Sequence, residues 1–248
     1  MTKLLRDSWL VFGRSMQLTL RQPVWVVVML MQPLYFLLLF GPLLKPIFGN
    51  NAYQIFVPAL LVMLAMFSTM FVGFGLIAEL RAGVIERMRV TPVSRFALLL
   101  GRAGRDVAVL LFQAVVLVVL AIPFGLSVKV GPLLLTLALL ALIGLLCTSL
   151  SYAVSLILRS EDALAPLANA VSQPLLLLSG ILLPLSLAPD WLRTIAKFNP
   201  FSWAVDASKA LFAGKTADDS IWQSGIILVV LAVLAMYWSA RQFARSVR

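Results

Sequence analysis

Six stretches without a charged residue divide this chain, at positions 22–44, 46–78, 107–128, 130–158, 163–189 and 220–240. A bilayer core about 30 Å thick takes about 20 apolar residues per helical crossing, so each stretch is long enough to span it. The chain reads as an all-α integral membrane protein with six transmembrane helices. Its composition agrees: 62% of the 248 residues are hydrophobic and 12% are charged, against roughly half and a quarter in soluble domains. Six crossings leave only short connections and no room for a soluble catalytic domain. Histidine is absent and Cys147 is the single cysteine, which excludes a disulfide framework, a Cys/His zinc site and every nucleophile–histidine relay. No metal site is expected.

The net charge of +10 raises a nucleic-acid reading. The cations, however, lie between the apolar runs and do not gather on one domain face. They sort by topology instead. With Met1 in the cytoplasm, fourteen lysines and arginines fall inside and six fall outside, namely Lys45, Lys129, Arg193, Lys197, Lys209 and Lys215. The positive-inside rule then puts both termini in the cytoplasm. The first apolar run is about twice a usual signal-peptide core and ends in Lys45-Pro46 without a small-x-small site, so no cleavage is expected there. Ahead of it, Leu5, Trp9, Phe12 and Met16 recur at helical spacing opposite Lys3, Arg6 and Arg14. That pattern predicts an interfacial helix over residues 1–21.

The spans are drawn at about 24–44, 55–78, 107–127, 131–158, 163–187 and 221–240. Pro33 interrupts the first, and Gly41-Pro42 closes it. Only Lys129 and its neighbours separate spans three and four, which predicts a tight hairpin. Span five carries Pro166, Pro174, Gly180 and Pro184, and each proline removes a backbone donor and disturbs the turn before it. A broken helix is expected there, and irregular backbone at membrane depth is tolerated where it is buried in protein or lines a cavity. Positions 189–213 mix apolar residues with a few charges, which predicts short amphipathic or re-entrant helices at the outer surface.

The longest inner loop, 79–106, is the most informative stretch. Leu80, Val84, Ile85 and Met88 share one helical face, while Glu79, Arg81, Glu86, Arg87 and Arg89 supply the others. Pro92 ends this helix, and Ser94 caps the next. A short amphipathic helix joined rigidly to two spans suits docking into a groove on a cytoplasmic partner. Its other reading is an interfacial anchor.

The run from Glu79 through Arg81, Glu86, Arg87, Thr91-Pro92 and Arg95, followed by Leu100-Gly101-Arg102, resembles the inner-loop signature of ATP-binding-cassette type 2 exporter permeases. It is most similar to the daunorubicin and multidrug resistance permease branch. A second match runs from Leu183-Pro184 through Ala188-Pro189-Asp190-Trp191-Leu192 to Asn199-Pro200 and Asp206, where that family carries its outer motif. The resemblance implies one transmembrane domain over residues 1–248 in a bacterial plasma (inner) membrane. It further implies a second permease subunit, identical or related, and a separate ATPase subunit that holds ATP and Mg. Glu79, Arg81, Val84, Ile85, Glu86, Arg87 and Met88 would then couple the ATPase to the membrane helices, over a segment 79–95. Arg89 departs from the apolar residue expected in that turn. Gly180, Pro184, Asn199 and Pro200 would form an outer gate, and spans two and five would line the pathway.

On span two, Met63, Phe67, Met70 and Phe74 share one side, and flexible thioethers with flat rings suit hydrophobic cargo. On span five, Asn169, Ser172 and Gln173 are the polar candidates. Packing and interhelical hydrogen bonding are the competing readings for both sets, as for Gln32 and Gln113. Gly214-Lys215-Thr216 copies the end of a phosphate-binding loop, but Lys209 stands where its first glycine is needed. Gly73-Phe74-Gly75 fits a dinucleotide fingerprint by letters alone, without strand–helix–strand context. The chain is therefore expected to be no enzyme by itself and to need a separate motor. A hydrophobic drug is the expected cargo, with lipid-linked polysaccharide or another envelope component as the alternative. An ion-coupled carrier is disfavoured, because such machines keep ionisable residues at depth whereas every carboxylate here falls in a loop or at a span end, Asp106 being at the inner edge of span three and expected to pair with Arg102.

Overall fold

The computed structural model describes residues 2–21, 24–83, 94–182, 188–215 and 218–246. Among them are ten α-helices: α1 (Thr2–Arg21), α2 (Val24–Phe48), α3 (Ala52–Met70), α4 (Gly73–Arg81), α5 (Arg95–Ala121), α6 (Val130–Leu158), α7 (Glu161–Leu177), α8 (Asp190–Ala196), α9 (Pro200–Phe212) and α10 (Asp219–Ser246). Five helical segments are long and apolar enough to cross a membrane: Val26–Pro46, Ala52–Arg81, Phe96–Phe124, Val130–Leu158 and Asp219–Arg245. The stretch expected as span five yields α7, whose 17 residues reach only about 25 Å at 1.5 Å per residue. It falls short of the bilayer core by itself.

Because successive long helices alternate in direction, the bundle has two distinct ends. One carries Glu79, Arg81, Arg102, Arg105 and Arg159 and is called the arginine end; the other carries Lys45, Lys129 and Lys209 and is called the lysine end. The main core surrounds α3, which is buried on nearly every side from Tyr53 to Phe67. Leu110, Leu117, Leu140, Ile143 and Val205 close around it. A smaller cluster at the arginine end joins Leu76, Leu98, Tyr152 and Phe243.

Helix α1 lies along α5 at the arginine end, with Trp9 and Leu10 exposed and Asp7 and Ser8 buried. Gly101 makes this packing possible. A Cβ there would stand 2.6 Å from the Ser8 carbonyl oxygen and 2.8 Å from the Val11 side chain, so the motif glycine of Leu100-Gly101-Arg102 is a close-approach point between two backbones.

Proline behaves differently from the expectation in two places. Helix α2 runs on through Pro33, Pro42 and Pro46 to Phe48, past the closure expected at Gly41-Pro42. Each proline removes one donor, and in apolar surroundings the remaining groups are still best satisfied by continuing the helix. In α7, Pro166 and Pro174 likewise sit within the helix. The break comes after Leu177, in a turn that ends on Gly180 at φ 72°, a conformation glycine adopts without steric cost. The connection between α5 and α6 is longer than the hairpin expected at Lys129: it runs over 122–129 and includes a 3-10 turn at Ile122–Phe124 followed by Gly125 at φ 102°.

Span two, expected as one helix, is instead broken at Phe71-Val72. No proline lies at the break. Ser151 of α6 donates from Oγ to the Met70 carbonyl at 2.7 Å and accepts from the Gly73 amide at 3.0 Å. One hydroxyl thus satisfies both backbone groups exposed by the kink, as groups removed from water require.

Candidate functional site

The loop expected to carry the coupling helix begins from α4 and ends in α5, and both roots are fixed by charge. Glu79 near the end of α4 forms an ion pair with Arg102 of α5, whose side chain is nearly buried. One turn further on, Arg105 reaches Asp106 at 3.0 Å and donates to Thr19 Oγ1 of α1 at 3.1 Å. Tyr152 of α6 donates its hydroxyl proton to the buried Asp106 carboxylate. Arg81 pairs with Glu161 at the start of α7 at 3.2 Å, with both partners well exposed. Ser94 Oγ accepts from the Ala97 amide at 3.1 Å, the N-cap expected of α5.

Five helices therefore meet in one polar layer at the arginine end. Buried charges are kept only when paired and hydrogen-bonded, so movement of either loop root is passed to α1 and α6 through bonds that cannot be left open, while the exposed Arg81–Glu161 pair adds a weaker link to α7. Of the expected coupling residues, Glu79 and Arg81 belong to this layer. Val84, Ile85, Glu86, Arg87 and Met88 lie outside the described residues, as does Arg89. Thr19 and Tyr152 are members that sequence reasoning missed; a lone tyrosine near the end of an apolar run was the available signal.

The span-two stripe divides. Met63 is fully buried in the core. Phe67 and Phe74 form a ladder with Phe71, their ring centroids 6.4 and 6.0 Å apart along the series. Met70 instead faces an apolar groove of about 550 Å³ between α6, α7 and α10, lined also by Leu150, Val171, Leu234, Trp238 and the buried Cys147. On α7, Ser172 is buried and donates to the Asn169 carbonyl at 3.3 Å. Asn169 and Gln173 are exposed, with Asn169 Nδ2 donating to the Ala165 carbonyl at 3.1 Å. Gln113 of α5 donates to the Val26 carbonyl of α2 at 2.7 Å, a packing contact between helices.

At the lysine end α9 is tied to the broken end of α7. The amides of Leu178 and Ser179 bond to the carbonyls of Pro174 and Leu176, which passes over Leu175. Asn199 Nδ2 donates to that carbonyl at 2.9 Å, while its Oδ1 accepts from the Phe201 amide at 3.0 Å and caps α9. Pro200 takes the first helical position, where its missing N–H costs nothing. Lys209 Nζ donates to the Gly180 carbonyl at 3.1 Å. Burial pulls the Lys209 ammonium below the usual lysine range, and Asp206 opposes that shift. Gly180, Asn199 and Pro200 are thus brought together as a clasp; Pro184 lies outside the described residues. Asn199→Ala is expected to lower stability by about 1–3 kcal/mol, the cost of stranding a buried polar group. Thermal unfolding in detergent, with Asn199→Asp keeping the cap but losing the donor, measures the two halves separately.

The family model described as ABC-2 type transporter matches residues 6–213. The daunorubicin resistance ABC transporter permease protein DrrB1 of Streptomyces coeruleorubidus is 27% identical over 226 residues, 89% of this chain and 79% of that one. The probable multidrug ABC transporter permease YbhR of Escherichia coli (strain K12) is 24% identical over 205 residues, 80% of this chain and 54% of its own. A match that runs from within α1 to the end of α9, on a chain of membrane-length helices, makes this multi-pass membrane protein a member of the ABC-2 type transporter family.

Proposed function

We propose that the chain is the permease subunit of an ATP-driven exporter of lipophilic drugs, working with a separate ATPase subunit that binds ATP and Mg and with a second permease subunit. The observation that carries this reading is the Glu79–Arg102 pair, which locks both ends of one loop to each other and, through the surrounding layer, to the membrane helices. A motor pressing on residues 84–93 would move the bundle as a unit. ATP hydrolysis belongs to the partner, since neither glycine motif in this chain has the context that phosphate binding needs. The names of the relatives, one a daunorubicin resistance permease and one a probable multidrug permease, support a drug cargo, as does the apolar groove beside Met70.

In this reading α7 and the turn after it complete a sixth crossing. Glu161 stands at the arginine end beside Arg81, and α9 stands at the lysine end, where Phe212 accepts from Gln54. Both termini then face the cytoplasm of a bacterial inner membrane, with α8 and α9 on the far side. Asn169 and Gln173 are exposed amides on a membrane helix, and such groups are covered by protein or face an aqueous path. They line the pathway between two permease subunits.

Reconstitution tests this. Proteoliposomes holding the permease and its ATPase should move daunorubicin only with ATP and Mg. Asn169→Leu combined with Gln173→Leu should slow transport by about tenfold, equivalent to about 1.4 kcal/mol, without loss of folded protein. Cargo movement by the permease alone, driven by a proton gradient, would overturn the reading; an unchanged rate in the double variant would return the amides to packing.

A further inference from the structure

A second cavity, of about 430 Å³, opens at the lysine end between the start of α3, the α5–α6 turn and the end of α9. Lys129 and Lys209 both line it, and no carboxylate does. Its back is a rigid brace. Gln54 Nε2 donates to the Ser127 and Phe212 carbonyls at 2.9 and 2.7 Å, and Gln54 Oε1 accepts from the Ser127 amide and hydroxyl at 3.1 and 3.2 Å. With the amide group of Gln54 fully engaged, the charge of the cavity is that of its lysines.

The two cations differ in what they already hold. Lys209 gives one proton to the Gly180 carbonyl and has Asp206 near it; an ammonium has two further donors. Lys129 forms no ion pair among the described residues. Its ammonium lies near Gly214, which has φ 82°: a Cβ there would come 3.8 Å from Nζ. Two lysines line a concavity that no carboxylate lines, with Asp206 near Lys209 alone; set at the edge of the membrane-spanning helices, they fit a compact anion with several acceptor oxygens.

We propose that this cavity binds a phosphate group, held between Lys129 and Lys209. At this depth the group is carried by the headgroup of an anionic phospholipid or arrives as free phosphate. Because Lys209 also holds the Gly180 carbonyl, an occupied cavity braces the clasp between α7 and α9. The site stands independently of the transport reading.

The test uses the full chain in a neutral detergent, titrated by calorimetry with dihexanoyl phosphatidylglycerol, with dihexanoyl phosphatidylcholine and with inorganic phosphate. One saturable site for phosphatidylglycerol is expected. Lys129→Gln should weaken it on the order of tenfold, the loss of one charge-assisted contact, and Lys129→Arg should restore it. Saturable binding of inorganic phosphate with the same dependence on Lys129 supports the site and names the soluble source. Equal binding of the zwitterionic lipid, equal loss in the control Lys197→Gln, which removes an exposed cation outside the cavity, or no saturable binding of either anion would overturn the proposal.

Discussion

Asp106→Ala is expected to destabilise the protein by about 3–5 kcal/mol, the cost of removing one partner from a buried ion pair. The carboxylate is almost fully enclosed and holds both Arg105 and the Tyr152 hydroxyl. Without it the partly buried guanidinium loses its ion-pair partner while still holding Thr19, and the Tyr152 hydroxyl loses its carboxylate acceptor. Asp106→Asn retains an acceptor for Tyr152 and should fall between the two. The exposed pair is the internal control. Arg81→Ala removes an ion pair whose members are 56% and 40% exposed, and it should cost less than about 1 kcal/mol. Denaturant unfolding of the three variants in one detergent would measure the series. Similar small losses at Asp106 and Arg81 would show that the layer is not held as described.

Gly73→Ala is the second large effect. The new Cβ would lie 2.8 Å from Ser151 Oγ, 2.9 Å from the Ser151 carbonyl oxygen and 2.9 Å from Ser155 Oγ. Two of these atoms end short side chains, but the carbonyl belongs to the backbone of α6 and cannot turn aside. Overpacking of this kind costs about 1–3 kcal/mol, and here it also pushes away the hydroxyl that bridges Met70 and Gly73. Ser151→Ala does not rescue it, because the carbonyl contact persists and both backbone groups of the kink lose their partner. Gly75, two residues on, is exposed with nothing within 4 Å of a Cβ, so Gly75→Ala should be neutral or stabilising by up to about 1 kcal/mol. Melting temperatures that place the two alanine variants together would contradict the close packing of α4 on α6.

The sequence carried much of this architecture and hid particular parts of it. Long apolar runs announce membrane helices because burial of the backbone in lipid demands them. The Ser94 cap follows from local chemistry alone, whereas the end of α5 at Ala121 came earlier than the apolar run suggested. The kink at Phe71-Val72 was illegible, since its cause is a serine eighty residues away on another helix. Proline was a poor guide to the ends of α2 and α7 for the same reason: surroundings without water favour an uninterrupted ladder over a clean stop. At the arginine end the sequence suggested Asp106 with Arg102, whereas Asp106 takes Arg105 and Arg102 takes Glu79; that choice, and the reach of Arg105 to Thr19, depend on how α1 and α4 pack on α5. Asn199-Pro200 could be read as a helix start, but not as the staple for a carbonyl left over in α7.

The central claim is that a separate ATPase presses on the loop between α4 and α5. Cys147, the single cysteine, is buried, so a second one introduced by Glu86→Cys provides a reactive handle at the loop. Membranes expressing that variant together with its ATPase would be treated with a short thiol-to-amine crosslinker, and the adducts identified by mass spectrometry. The account predicts one dominant adduct with a nucleotide-hydrolysing subunit, weakened when nucleotide is removed. A handle that labels freely and captures no such subunit, while the complex still hydrolyses ATP in response to cargo, would contradict it.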